Sequence, residues 1–223
     1  MKKCFLLQVV MLFIVLSLLL PPVFAHQPRL VATETVVHVS LPEISKAYYG
    51  SLAGKPVTYH IEAAEPFRLY VNTLVPVMEE IEKDVSATIL KEGTVVAHLD
   101  ASAHYWETFH EPFAGDDYFR GPEYVSMQDA GSYEIHVSSP DNQGKYVLAV
   151  GDVEAFPLPE LIKTYAVLPR LKSEFFEKSP FSAYNNIMGI FLGGFILIVL
   201  VIVVTAYCGI KFIKKRRRAV GQE

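Results

Sequence analysis

Cysteine is nearly missing from this chain. Its 223 residues hold two, Cys4 and Cys208, and each lies in or beside one of two long apolar runs. The roughly 160 residues between those runs therefore carry neither a disulfide framework nor a thiolate nucleophile. Small secreted animal domains are commonly stapled by disulfides, so this absence points to a bacterial or archaeal cell envelope. Catalytic signatures are also missing. There is no G-x-S-x-G, no H-E-x-x-H, no phosphate-binding P-loop and no G-x-G-x-x-G. No acid/base pair stands out either, and the chain reads as non-catalytic. Basic residues are scarce between positions 26 and 185, where 23 acidic residues face 12 basic ones, a net of −11. That balance disfavours nucleic acid and admits cations, neutral glycans or basic proteins. No internal repeat is evident.

What is present fixes a topology. Residues 1–25 read as a signal peptide: Lys2 and Lys3, an apolar run from Phe5 to Leu20, the helix-breaking Pro21-Pro22, and Val23-Phe24-Ala25 as a cleavage site. Cleavage after Ala25 makes His26 the mature N-terminus. Cys4 precedes the apolar run, so this is not a lipoprotein leader. Residues 187–210 carry no formal charge. As a helix they extend about 36 Å, enough to cross a hydrocarbon core of about 30 Å. The basic tail, 211–223, holds Lys211, Lys214, Lys215, Arg216, Arg217 and Arg218 and is expected in the cytoplasm, with contacts to anionic lipid. The expectation is a single-pass cell-membrane protein with its N-terminal domain extracytoplasmic. Gly189 and Gly193 form a GxxxG pair, a hint of a homodimer or of a subunit in a membrane complex.

Between the two runs the fold class reads as mainly β: an antiparallel β-sandwich, jelly-roll-like, over residues 26–155. Val57, Tyr59 and Ile61 alternate with Thr58, His60 and Glu62. The same period of two marks Val85 to Leu90, Tyr133 to Ser138 and Tyr146 to Val150. Further strands are expected near 30–39, 67–73, 94–99 and 124–127. Glu92-Gly93 suits a hairpin turn, and Pro140 to Gly144 suits a second tight hairpin. Residues 156–186 read as a helical juxtamembrane stalk, with helices over 158–165 and 171–178 broken by Pro169.

One stretch carries a resemblance. Ala130-Gly131-Ser132-Tyr133-Glu134-Ile135-His136-Val137 and Gly144-Lys145-Tyr146-Val147-Leu148-Ala149-Val150 resemble the closing hairpin of pre-peptidase C-terminal-type β-sandwiches. Tyr49-Gly50-Ser51-Leu52 and Val57-Thr58-Tyr59 are similar to that family's opening. The resemblance covers half of the outer domain. It implies a non-catalytic appendage that binds surfaces or aids secretion.

The most unusual segment is 104–124, with seven aromatic residues and no clean strand period, so it is expected as a long loop. Tyr105, Trp106, Tyr118 and Tyr124 are candidate stacking surfaces for a glycan or a protein ligand. Asp116, Asp117 and Glu123 are candidate polar or cation contacts, and with Glu111 a candidate calcium site. A competing expectation is that the aromatics only pack the loop down. A copper site is the other alternative. The amine and imidazole of a mature N-terminal His26 would be joined by a second imidazole from His38, His60, His104, His110 or His136.

Overall fold

The computed structural model describes residues 26–32 and 35–220, with side chains as far as Lys211. The signal-peptide reading, Cys4 and the last three residues lie outside this range. The described residues form two compact units: one that runs from His26 to Asn186, and a helical unit beginning at Ile187.

The first unit is a β-sandwich. In chain order its strands are β1 (Gln27–Leu30), β2 (Val36–His38), β3 (Lys46–Ala53), β4 (Val57–Ala63), β5 (Phe67–Pro76), β6 (Ser86–Lys91), β7 (Thr94–Leu99), β8 (Glu107–Glu111), β9 (Asp116–Gln128), β10 (Gly131–Ser138) and β11 (Gln143–Val150). One sheet has six strands in the order β1-β3-β11-β5-β9-β8, the other five in the order β2-β4-β10-β6-β7. Pairing is antiparallel except at one margin, where β1 runs parallel to β3 and β2 parallel to β4. Each parallel pair is separated in sequence by a strand of the other sheet, so no tight turn constrains its direction.

The alternating residues meet between the sheets. Tyr59, Ile61, Ile89, Tyr133, Ile135 and Val137 from one sheet pack against Leu69, Val71, Tyr146, Leu148 and Val150 from the other. Two phenols cross this core, with Tyr59 Oη and Tyr146 Oη 2.9 Å apart. Gly50 makes room for the second: a Cβ there would stand 2.6 Å from Tyr146 Oη. The β6–β7 hairpin turns at Glu92 and Gly93, both at positive φ.

Three expectations change. First, 104–124 is mainly a β-hairpin, built from β8 and β9, rather than a loop. Its period is hidden by a bulge. Phe119 and Tyr124 are five residues apart yet both pack on the core, which an unbroken strand forbids. The register slips between Asn72 and Leu74, opposite Gly121-Pro122. Asn72 Nδ2 donates to the carbonyls of Gly121 (3.0 Å) and Pro122 (3.1 Å), holding the bulge. Second, residues 140–144 do not close a hairpin. β10 pairs with β4 and β6, β11 with β3 and β5, so this turn carries the chain from one sheet to the other. Third, Pro169 does not break the helix. Helix α1 (Leu158–Arg170) runs through it into one π turn, Leu171–Phe175. Proline removes one amide donor, and the ladder widens just beyond, where Phe176 N bonds the Leu171 carbonyl at 3.2 Å.

The segment read as a stalk is folded against the outer face of the six-stranded sheet. Phe175 and Phe176 stack edge-on to Tyr49, with ring centroids 5.2 and 6.1 Å away, and Arg29 pairs with Glu160 at 2.6 Å. That sheet is therefore covered on both faces, and Lys46–Gly50 and Tyr146–Val150 are buried without a break. A 310 turn, Pro180–Tyr184, follows. The second unit is α2 (Ile187–Val220), of which Ile187–Lys211 is long and apolar enough to cross a membrane.

Candidate functional site

A cavity of about 320 Å³ lies between the outer face of the six-stranded sheet and helix α1. Its origin is a row of small side chains. Ala47 on β3, Ala149 on β11 and Asn72 on β5 are cross-strand neighbours, and this floor fills little of the space under the helix. Taller residues stand around it: Tyr49, Tyr70, Leu74, Phe109, Phe113 and Arg120 from the sheet and hairpin, Leu168 from α1. The walls are largely apolar, with polar groups at separate points, the usual make-up of a small-molecule site.

Those polar groups differ in how far they are committed. His26 sits at one side with Nδ1 2.5 Å from Ser45 Oγ. Burial pushes its pKa down to about 4; the Arg120 charge acts the same way and Asp152 opposes it. The ring is neutral at physiological pH. Glu111 is raised by burial, against the pull of the Phe113 (2.8 Å) and Ala114 (2.7 Å) amides that donate to its carboxylate. Tyr70 is pushed up to about 12, first by burial and then by Glu123. The Arg120 guanidinium lies 4.3 Å from the centre of the Phe109 ring. Thr164 is different. It is buried in the wall, and its Oγ1 has no hydrogen-bond partner among the described residues.

The seven residues singled out around 104–124 do not converge on one site. Tyr105 is 81% exposed, and Trp106 lies against the core with Nε1 donating to the Ala101 carbonyl at 3.1 Å. Asp116 is wholly buried and bound to Lys172 (2.5 Å) and Lys178 (3.0 Å). Its neighbour Asp117 points the other way, where its carboxylate meets His110 Nδ1 at 2.7 Å. Tyr118 is buried, its hydroxyl 3.1 Å from that of Tyr49. Glu123 reaches Tyr70 Oη at 3.5 Å, and Tyr124 turns to the core side and accepts from Gln128 Nε2 at 2.9 Å. The competing expectation, aromatics packing the segment down, describes Trp106, Tyr118 and Tyr124. What the segment gives the cavity is Phe109, Glu111, Phe113, Ala114, Tyr118 and Arg120.

Metal ligation gains little from the arrangement. Asp116, a member of the candidate calcium set, is occupied by two lysines. Among the described residues no group of three or more His, Cys, Asp or Glu is gathered to hold a metal. Among the described residues His26 is the one histidine that lines the cavity. His38 and His60 stack at 5.8 Å on the outer face of the other sheet, where His136 pairs with Glu134 at 2.7 Å. His104 packs edge-on to Trp106, and His110 is engaged by Asp117.

Sequence reasoning missed the cavity because its lining comes from many separated segments. Two signals were present: Ala47 and Ala149 in strands otherwise rich in large residues, and a threonine on the inward stripe of α1.

No family model matches this chain, and no curated protein matches it. Among solved structures it is similar to the pre-peptidase C-terminal domain of a collagenase from Bacillus anthracis, with 13% identity and a TM-score of 0.33 over 54% of this chain and 97% of that one. It is also similar to a β-glucosidase from Paenibacillus barengoltzii, with 12% identity and a TM-score of 0.24 over 60% of this chain and 14% of that one. The first is of the kind that residues 130–150 resemble. At these scores neither likeness bears on function.

Proposed function

We propose that this protein is a non-catalytic binding module, held in the membrane by α2 with its β-sandwich on the extracytoplasmic side, and that the cavity under α1 takes a small amphiphilic molecule. The observation that carries the reading is Thr164. A buried hydroxyl without a partner costs on the order of 1–3 kcal/mol, and folded chains rarely keep one. In the wall of a cavity, it is explained by a ligand group that completes the hydrogen bond. The apolar walls of Leu74, Phe113 and Leu168 would hold the ligand's body. The lining sets the acidic groups Glu111, Asp152 and Glu154 against Arg120, which favours a neutral or cationic ligand over an anion.

Thr164→Val tests this directly, because it keeps the shape and removes the hydroxyl. The unliganded chain is expected to become more stable by about 1 kcal/mol, since an unsatisfied group is lost. A small-molecule thermal-shift screen on the full chain in lipid nanodiscs is expected to find amphiphiles that stabilise the wild type. The same compounds should bind Thr164→Val several-fold more weakly. A screen without hits, or hits that bind the valine variant equally well, would remove the cavity from the argument.

A further inference from the structure

Helix α1 exposes apolar side chains on the side away from the sheet, with the exposed Lys163 and Arg170 beside them. Thr164 and Leu168 face inward and are buried. Leu158 and Ile162, one turn apart on the opposite side, are 68% and 62% exposed, and Ala166 continues the stripe. The 310 turn Pro180–Tyr184 packs beside α1 and adds Phe181, 81% exposed, and Tyr184. These exposed apolar side chains, two of them aromatic, stand on two neighbouring elements. Isolated exposed apolar residues are ordinary, but several on adjoining elements mark an interaction surface.

Two observations identify what covers it. The first is position along the chain. Tyr184 precedes Ile187 by three residues and Phe181 by six, and Ile187 opens the helix that can cross a membrane. At about 3.5 Å per residue, Phe181 lies within roughly 20 Å of the start of that helix, whatever the local conformation. The second is charge. Residues 26–157 carry 20 acidic and 8 basic residues, whereas 158–186 carry 3 and 4. This is the part of the domain that an anionic lipid surface would not repel. Aromatic rings and aliphatic side chains beside a membrane helix suit the headgroup boundary.

We propose that Leu158, Ile162, Phe181 and Tyr184 seat in the surface of the bilayer that α2 enters, so that α1 lies along the headgroup region between the lipid and the cavity. The proposal rests on the reading of α2 as a membrane anchor, and the test separates the two. Single cysteines replace Ile162, Phe181 and, as a remote reference, Val95 on the β7 edge, in the full chain carrying Cys4→Ser and Cys208→Ser. Each is labelled with an environment-sensitive fluorophore and placed in phosphatidylcholine/phosphatidylglycerol nanodiscs at one chain per disc. Lipids bearing a nitroxide near the headgroup then serve as quenchers. The expected result is quenching at 162 and 181 several-fold greater than at 95. Equal quenching at all three positions, in chains that incorporate into discs, overturns the seat and leaves the anchor. Failure to incorporate overturns both. Protection at 162 that requires two chains per disc, without lipid quenching, overturns the seat in favour of a second copy of this chain.

Discussion

Lys172 Nζ stands 2.5 Å from Asp116 Oδ2, and both side chains are closed off from solvent. The ammonium also donates to the Ala114 carbonyl at 2.7 Å, while Lys178 approaches the other carboxylate oxygen at 3.0 Å. The pair joins the π turn to the start of β9, residues 56 positions apart. Burying two charges costs several kcal/mol per ion, recovered only when each is fully partnered. Losing one partner is therefore more damaging than losing both. Lys172→Met is expected to destabilise the domain by about 3 kcal/mol, less than a complete orphaning because Lys178 remains. Lys172→Met combined with Asp116→Leu should recover most of that loss. Equilibrium unfolding in nanodiscs measures both, and a double variant no more stable than the single one would show that the pair is not the source of the effect.

His26 predicts a stability that falls with acid. Its folded pKa of about 4 lies below the ordinary 6.5, so the unfolded chain binds the proton more readily. Above pH 7 the ring is neutral in both states and contributes nothing to the pH dependence. As pH falls from 6.5 toward 4 the unfolded state gains protons first, and the penalty grows to about 3 kcal/mol. Glu111 works in the opposite sense: its pKa is raised on folding, so its contribution is lost as pH rises through the raised value. The difference between wild type and His26→Gln isolates the histidine. That difference should be flat above pH 7 and fall between 6.5 and 4; a flat line throughout would show that the ring titrates normally.

Gly121 is predicted to be irreplaceable by alanine. A Cβ there would stand 2.6 Å from Trp106 Cη2 and 2.7 Å from the Thr73 carbonyl oxygen, so the bulge of β9 or the indole must move. The cost should be about 1–3 kcal/mol, as for other over-packed sites. The chain has one tryptophan, which makes the emission spectrum a clean reporter. Gly121→Ala should shift Trp106 emission to the red together with the loss in stability. Unchanged emission with unchanged stability would mean that the contact relaxes freely.

The sandwich was legible because β4, β6 and β10 each bury one face, and their residues alternate accordingly. The six-stranded sheet was harder to read. β11 is apolar at every position from Tyr146 to Val150, a sign of burial on both faces, but nothing local says which segment supplies the second cover. The β8–β9 hairpin was hidden by one bulge that reverses strand parity at Gly121. Turn residues at 140–144 suit a link within a sheet or between sheets, so the two were indistinguishable from composition. Asp116 illustrates the limit at the level of a site. As a carboxylate beside aromatics it resembles a ligand contact, and only the arrival of Lys172 from the distant π turn and Lys178 from the segment after it commits it to structure.

The folding of 156–186 also sets how far the domain can forage. As an extended leash, about thirty residues would let a tethered head sweep a radius of ~100 Å. That slack is taken up between the Arg29–Glu160 pair at one end and Asn186, whose amide donates to the Ala114 carbonyl at 2.7 Å, at the other. With α2 as the anchor proposed above, molecules dwelling in the same lipid layer would meet the cavity at high effective concentration, a gain that molecules dispersed in the surrounding medium would not share.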